Sequence, residues 1–161
     1  MQGNQRPHNA PEATLPEVLP TGMHHQTSVT ITSENNAVRE GLSQLLNMEP
    51  LSGLSENSRG TFEIVLAEAL NNVVEHAYSN APGTILVGVD HLPPILRVSV
   101  YDQGLPMPDG QLPKGELKPL VEGEELPEGG FGWFLIRTLT LDLEYERDGG
   151  FNKLRFVVPA E

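Results

Sequence analysis

The sequence predicts a two-layer α/β (α+β) sandwich, in which a mostly antiparallel sheet is covered on one face by helices. Segments with helical periodicity and segments with strand-like alternation are separated along the chain. Short turn signals join two pairs of the strand-like segments, as in antiparallel hairpins. The chain has 161 residues, of which 38% are hydrophobic, and this is enough for the core of a single domain.

The first strand and helix are expected between residues 26 and 50. The stretch "QTSVTITS" is rich in β-branched residues and predicts a strand over Gln26–Ser33. We expect Ser33 to cap the helix that follows, "AVREGLSQLLNM", and Pro50 to end it. The predicted helix has an apolar stripe for the core, formed by Val38, Leu42, Leu45 and Leu46.

A second helix is predicted from near Ser58 to about Tyr78, because apolar residues recur there at intervals of three and four. After the turn "APGT", the segments "ILVGVDH" and "ILRVSVYD" are strand-like, and only "LPP" separates them. This spacing predicts an antiparallel hairpin. The expected core face of the helix consists of Phe62, Val65, Leu66, Ala69, Leu70 and Val73.

The region from residue 103 to 130 is rich in glycine and proline and has few large apolar residues. A connection of this length in a small domain is usually a functional lid or a disordered segment. The stretch "FGWFLIRTLTLDL" then predicts a helix, and "LEYERDGGFNKLRFVVP" predicts a hairpin around Asp148–Gly150. Residues 1–25 form a proline-rich arm, either a partner-binding segment or a disordered tail, and residues 26–161 form the domain.

Composition limits the classes of partner. The formal net charge of -12 disfavours direct binding to nucleic acid or to anionic membranes, although it allows a nucleotide ligand. The chain has no cysteine, so disulfides and thiolate metal sites are excluded. No apolar run approaches the roughly 18 residues of a membrane span, and the first residues lack the apolar core of a signal peptide. We therefore expect a cytoplasmic protein.

The second predicted helix carries unusual polar chemistry in "EALNNVVEHAY". Glu68, Asn72 and His76 are spaced at four-residue intervals and therefore share a helix face. These side chains either face solvent or form a site where an amide oxygen binds Mg²⁺ and a carboxylate acts as a base. Magnesium needs only one such protein oxygen when phosphates and waters supply the others. Zinc is a poorer candidate, because the histidines show no metal-ligand spacing.

Two further segments have features that a nucleotide needs. In "VSVYDQG", Asp102 ends an apolar strand and Gly104 follows, so a carboxylate and an accessible backbone lie together, unless the pair is an ordinary turn. In "EGGFGWFLIRTL", Gly129, Gly130 and Gly132 precede a helix, where backbone donors attract phosphate, unless they form a hinge. The motifs of P-loop and dinucleotide-binding proteins are absent.

In this order, the three segments resemble the N box and the two glycine boxes of the Bergerat-fold ATPases, the superfamily of gyrase, histidine kinases and MutL (GHKL). Within it, the chain most resembles the anti-sigma-factor serine kinases, which share the pattern E-A-x-x-N-x-x-x-H-A-Y, D-x-G and G-G-x-G-x-x-L-I. The resemblance extends over about Gln26–Pro159.

The resemblance implies roles for the matching residues of the helix. Glu68 matches the general base that activates the attacking hydroxyl. Asn72 matches the asparagine that binds the magnesium ion bridging the phosphates. His76 matches a histidine near the phosphate end, where it shapes the site.

The resemblance also implies roles in the other two segments. Asp102 matches the aspartate that binds the adenine amino group, and Gly104 matches the glycine after it. Gly130 and Gly132 match the glycines on which the phosphates rest. Residues 103–129 match the ATP lid. The implied cofactors are ATP and Mg²⁺.

The implied function is a protein serine kinase that acts as an anti-sigma factor. Its implied partners are a sigma factor, which it holds inactive, and an anti-sigma-factor antagonist, which it phosphorylates; a homodimer is compatible with the resemblance. Many relatives have a basic residue near the second glycine box, whereas here only Lys114 and Lys118, inside an acidic lid, are candidates. The alternative is a non-catalytic nucleotide-binding module that sequesters a partner. A histidine-kinase ATPase domain acting alone ranks last, because no phosphoacceptor helix pair is present.

Overall fold

A five-stranded sheet in the order β1-β2-β3-β5-β4 organises the chain, and every neighbouring pair of strands is antiparallel. The computed structural model describes residues 25–117, 122–123 and 131–161. The strands are β1 (Thr27–Thr32), β2 (Thr84–Leu92), β3 (Ile95–Asp102), β4 (Leu141–Asp148) and β5 (Phe151–Pro159). The helices are α1 (Asn35–Leu46), α2 (Glu56–Asn72) and α3 (Phe131–Leu139), with short 3₁₀ turns at Leu51–Gly53 and Pro108–Gly110.

The core lies between the helices and one face of the sheet, as the sequence predicts. Along β1, side chains alternate between buried and exposed, so only one face of this strand meets the core. The predicted apolar stripes of the first two helices are buried and pack with strand residues in one cluster. The predicted two-layer class is therefore confirmed.

Within the described residues, no helix combines the length and the hydrophobicity that a bilayer crossing requires.

Both predicted hairpins are present. In the first, the paired residues Leu92 and Ile95 flank the two prolines. In the second, Asp148 pairs with Phe151, and Gly149 and Gly150 form the turn with φ angles of 58° and 84°. Positive φ at both central residues matches the twist of the flanking strands, and glycine adopts it without a steric cost.

Three predicted boundaries are wrong. Ser33 does not cap α1, because its buried hydroxyl donates to the carbonyl of Ala81 at 2.7 Å and so ties the end of β1 to the loop before β2. The second helix begins at Glu56, since the Ser55 hydroxyl accepts the backbone N–H of Ser58. The third helix ends at Leu139, and the following "LDL" segment belongs to β4 instead.

The end of α2 changes its winding. Residues Val73–Ala77 form a π-helical turn, closed by a bond from the backbone N–H of Tyr78 to the carbonyl of Val73 at 3.0 Å. Single π turns inside α-helices are rare and occur often at functional sites. This turn carries His76 and Ala77 toward the loop that follows β3, where Leu105 donates its N–H to the Ala77 carbonyl at 2.7 Å.

The predicted N-terminal arm, residues 1–25, lies almost wholly outside the described residues. His25, its last residue, contacts the sheet: the ring nitrogens lie 2.9 Å from Asp90 Oδ2 and 3.0 Å from the Tyr101 hydroxyl. The ring covers Gly88, because a Cβ at that position would fall 2.2 Å from it. The ordered contacts of the domain thus include His25.

Two glycines provide a matched test of the contact between the loop after β3 and the π turn at Val73–Ala77. A Cβ at Gly60 in α2 meets nothing within 4 Å, whereas a Cβ at Gly104 would lie 2.5 Å from the Ala77 carbonyl oxygen. We expect Gly60→Ala to stabilise the fold by about 0.5–1 kcal/mol, since it lowers the entropy of the unfolded chain. Gly104→Ala should destabilise it by about 1–3 kcal/mol, because backbone atoms must move. Urea unfolding measures both, and equal effects of the two substitutions would contradict the described contact.

Candidate functional site

A cavity of about 470 Å³ lies between the end of α2, the end of β3, the loop after β3 and the start of α3. This volume is within the range of small-molecule sites, and the walls are mainly apolar with a few polar groups, as such sites usually are. The polar side chains on its surface belong to Asn72, His76, Asp102, Tyr145 and Asn152. The apolar ones belong to Ala69, Val73, Ala77, Leu105, Pro106, Met107, Pro108, Pro113, Trp133 and Leu154.

Asp102 is the buried acid of this cavity. It is the last residue of β3, it is 4% exposed, and it pairs in register with Asn152 of β5. Its Oδ1 accepts two hydrogen bonds of 2.8 Å each, from the Gly104 backbone N–H and from Asn152 Nδ2. Within the described residues Oδ2 accepts none, so it retains its acceptor capacity for a ligand donor.

The surroundings of Asp102 oppose its ionisation. Burial raises the pKa of the Asp102 carboxyl, while the bonds from Asn152 and Gly104 and the charge of Arg147 act in the opposite direction. The net pKa is higher than that of an ordinary aspartate, because removal of a carboxylate from water costs more than these contacts return.

The loop after β3 is anchored at its start. Tyr78 accepts the Gln103 N–H at 2.8 Å on its hydroxyl, which itself donates to the Thr84 carbonyl. Farther along, Arg137 donates to the Pro113 carbonyl at 2.8 Å, and Gly115, with φ of +66°, lies against the backbone of α3. These contacts hold the loop at Gln103, Pro113 and Gly115, and the residues between them include one wall of the cavity.

The other end of the cavity contains a polar group without a partner. Asn72 Nδ2 is buried and has no hydrogen-bond partner among the described residues. A Cβ at Gly132 would lie 2.6 Å from Glu68 Oε2 and 3.7 Å from Asn72 Nδ2, so these three residues meet where α3 begins. An unpaired buried amide atom is costly, which indicates a place for a ligand atom, and the nitrogen and oxygen of an amide can exchange positions by a flip.

These residues fit magnesium only together with phosphate. Within the described ranges, no three His, Cys, Asp or Glu side chains are grouped to hold a metal. A site built wholly from acidic or imidazole ligands is therefore absent from this part of the chain. Magnesium commonly takes one or two protein oxygens and completes its shell with phosphates and waters, and the side chain of Asn72 can supply such an oxygen.

The structure brings most of the predicted site residues together. Asn72, His76 and Asp102 line one cavity, although the His76 side chain is 73% exposed and therefore lies at the rim. Glu68 does not line the cavity and instead adjoins Asn72 and Gly132 at one end.

The remaining predicted residues lie in or near the loop after β3. Gly104 lies at its start, against the π turn of α2. Gly130 and Lys118 lie outside the described residues. Of the predicted lid, residues 103–117 and 122–123 are described.

The comparison with known families decides the assignment of the fold. Residues 31–158 match the histidine kinase-like ATPase domain family. The chain belongs to this family. The predicted resemblance to the GHKL superfamily is therefore confirmed.

Curated relatives are serine-protein kinases named RsbW. The protein from Bacillus cereus strain AH187 is 31% identical over 108 residues, which is 64% of this chain and 66% of the relative. The protein from B. cereus strain Q1 is 33% identical over 97 residues, 57% of this chain and 59% of the relative. The matched part of the chain thus spans about three fifths to two thirds of the length of these relatives.

A solved structure described as the RsbU and RsbW domains of a Mycobacterium tuberculosis protein shares the fold. Its TM-score is 0.54 at 15% sequence identity, and the match covers 83% of this chain and 32% of that one. At this identity the likeness supports the fold alone. It agrees with the antiparallel sheet and the three helices described above.

Sequence reasoning missed the residues that β4 and β5 contribute to the site. Asn152 and Tyr145 line the cavity, and Arg147 contacts Asn152 at 2.9 Å. The terminal hairpin was recognisable, but nothing in the sequence shows that β5 pairs with β3 and so places Asn152 opposite Asp102. Trp133, near the start of α3, is 9% exposed and forms part of the cavity wall.

The raised pKa of Asp102 predicts how replacement of its carboxyl group changes the folding stability of the chain. The folded chain holds this proton more tightly than the unfolded chain, so folding stability is lost as pH rises from the ordinary aspartate range through the raised pKa. Asp102→Asn cannot ionise and keeps an acceptor for both Oδ1 bonds. We therefore expect the variant to be more stable than the wild type at pH 7, and this difference to shrink at acidic pH.

Urea unfolding at pH 7 and at about pH 4, the ordinary aspartate range, measures this difference. Asp109→Asn, at an exposed carboxylate of the same loop, is the control and should leave stability nearly unchanged at both pH values. An Asp102→Asn variant that gains stability relative to the wild type only at the acidic pH would contradict the assigned burial effect.

Proposed function

We propose that the chain is an ATP- and magnesium-dependent protein serine kinase that acts as an anti-sigma factor. The observation that carries the proposal is the convergence of two groups on one cavity. These are the buried carboxylate of Asp102 and the Asn72 side chain, whose buried Nδ2 has no partner among the described residues and which has Glu68 beside it. The Asp102 carboxylate can accept a hydrogen bond from the amino group of a nucleobase. The Asn72 side chain can contact the magnesium ion and the phosphates at the other end of a nucleotide.

In this proposal, Asp102 selects adenine. An ionised carboxylate only accepts hydrogen bonds, so Oδ2 can bind an exocyclic amino group and repels a carbonyl at the same position. The apolar walls, among them Leu105, Met107 and Trp133, remove the base from water. Guanine presents a carbonyl where adenine presents its amino group, and the site therefore discriminates between the two purines.

At the opposite end, Asn72 would hold magnesium and Glu68 would act as the general base. A bound magnesium ion would neutralise charge on the phosphates of ATP, and ADP would leave as the γ-phosphoryl group passes to the serine oxygen. Glu68 accepts the proton of the attacking serine hydroxyl, and Gly132 leaves its carboxylate free space because it has no side chain. His76, at the rim of the cavity, would shape the part of the site that holds the phosphates. Gly104 would leave room for the Ala77 backbone in the part that holds the nucleobase. Contact of Gly130 and Gly132 with the phosphates remains a prediction.

The proposed partners are those that the resemblance to anti-sigma-factor serine kinases implies. An anti-sigma-factor antagonist would be phosphorylated on serine, and a sigma factor would be bound and held inactive. These partners would act in the cytoplasm. The proposal also includes a homodimer, which comes from the family resemblance and does not rest on the geometry of the cavity.

One observation favours a second candidate, a nucleotide-binding module without transfer activity. None of the described residues that line the cavity is Lys or Arg, so the described wall offers no permanently charged cation for the terminal phosphate. The described part of the adjoining loop carries exposed acids, Asp109, Glu116 and Glu122. Such a module would act by sequestering its partner.

A transfer assay separates the two candidates. The protein is mixed with magnesium, γ-labelled ATP and a candidate antagonist that carries an acceptor serine. We expect label on serine, and a decrease in its rate of about 10²-fold or more in Glu68→Gln, because that variant lacks the base. Its ATP affinity should remain close to that of the wild type, since the amide preserves the shape of the side chain.

Glu63→Gln is the matched control, because Glu63 is an exposed glutamate on the same helix, α2. It should transfer phosphate at the wild-type rate. Tight ATP binding without label on any protein serine would favour the non-catalytic module. Equal transfer by Glu68→Gln and the wild type would refute the role of Glu68.

A further inference from the structure

We infer that Asn152 is a positioning residue for base recognition, which acts by holding Asp102 in the orientation that accepts the amino group of adenine. The inference rests on the proposed nucleotide function and assigns to it a residue outside the motif segments. Asn152 is 4% exposed and lies opposite Asp102 in the β3–β5 register. Its side chain contacts both the acid and the loop beyond it.

The orientation of the Asn152 amide is determined by its partners. Its Oδ1 accepts hydrogen bonds from the Tyr145 hydroxyl and from Arg147, the latter at 2.9 Å. Its Nδ2 donates at 2.8 Å to Asp102 Oδ1 and at 2.8 Å to the Leu105 carbonyl. A flipped amide would place its nitrogen against the Arg147 guanidinium and its oxygen against the Asp102 carboxylate, so the described orientation is the compatible one.

This orientation determines how Asp102 faces the cavity. The Asn152 and Gly104 donors converge on the same oxygen, Oδ1, from two different elements. Rotation of the carboxylate would break both bonds, and Oδ2 therefore stays available to a ligand. Without Asn152, one of the two restraints is lost.

The same group of side chains also holds the base-side wall. We call Asp102, Tyr145, Arg147 and Asn152 the Asn152 network. Arg147 donates to the Gly104 carbonyl at 2.8 Å, and the Tyr145 hydroxyl accepts the Met107 N–H at 3.0 Å. The network thus joins the acid to the first residues of the loop after β3, and these residues form part of the cavity wall.

The test compares two nucleotides in calorimetric titrations with magnesium. ATP has the 6-amino group, whereas purine riboside 5′-triphosphate lacks it and gains nothing from Asp102. We expect Asn152→Leu to lower the ratio of ATP affinity to purine-nucleotide affinity by roughly five- to tenfold, the loss typical of one well-placed hydrogen bond. A role in folding alone would lower both affinities by the same factor and leave the ratio unchanged.

Further variants secure the result. Tyr145→Phe removes one donor to Asn152 with little change in volume and should lower the ratio by about twofold, so the test survives if Asn152→Leu does not fold. Asn57→Leu, at an exposed position in the first turn of α2, is the control and should leave the ratio unchanged. In an Asp102→Asn background, Asn152→Leu should change the ratio no further.

The outcomes are distinct. A lower ratio in Asn152→Leu, absent when Asp102 is replaced, supports the inference. An unchanged ratio in both Asn152→Leu and Tyr145→Phe overturns it and leaves the proposed function standing. A wild-type protein that binds neither nucleotide overturns the proposed function and this inference with it.

Discussion

The site depends on a carboxylate held out of water at the end of a strand. Asp102 closes β3, and two donors from different elements meet on one of its oxygens. Burial raises the pKa of this acid, so the fold bears a cost to keep it there. The second oxygen of this buried acid can still accept a hydrogen bond. A ligand that donates this bond would offset part of the cost of burying the carboxylate.

Other features of the site also cost stability. The Asn72 amide has a buried nitrogen without a partner in the described residues, and the helix that carries it ends in a π turn. Each of these departs from what a purely structural helix would adopt. Their concentration at one end of the sheet, around one cavity, separates the site from the rest of the core, where apolar side chains fill the space between helices and strands.

Local patterns in the sequence predicted the elements well and their boundaries less well. The apolar spacing of α2 and the two-glycine turn of the last hairpin were sufficient for those elements. The cap at Ser33 is mispredicted because its hydroxyl donates to the carbonyl of Ala81, in a loop that is distant in sequence. The end of α3 is mispredicted because Leu141 pairs with Val157 of β5. Such long-range contacts have no local signature.

The same limit applied to the site. The segments with Glu68, Asn72 and Asp102 could be recognised because each motif is local. Asn152 could not, since its contact with Asp102 arises from the pairing of β3 with β5, and the two residues are about fifty positions apart in the sequence.

The central claim is that one nucleotide spans the cavity from Asp102 to Asn72, and the most direct measurement is a crystal structure with magnesium and a non-hydrolysable ATP analogue. The account predicts the adenine amino group at Asp102 Oδ2 and the metal at Asn72. A nucleotide bound at another surface, or a base in this cavity without contact to Asp102, would contradict it.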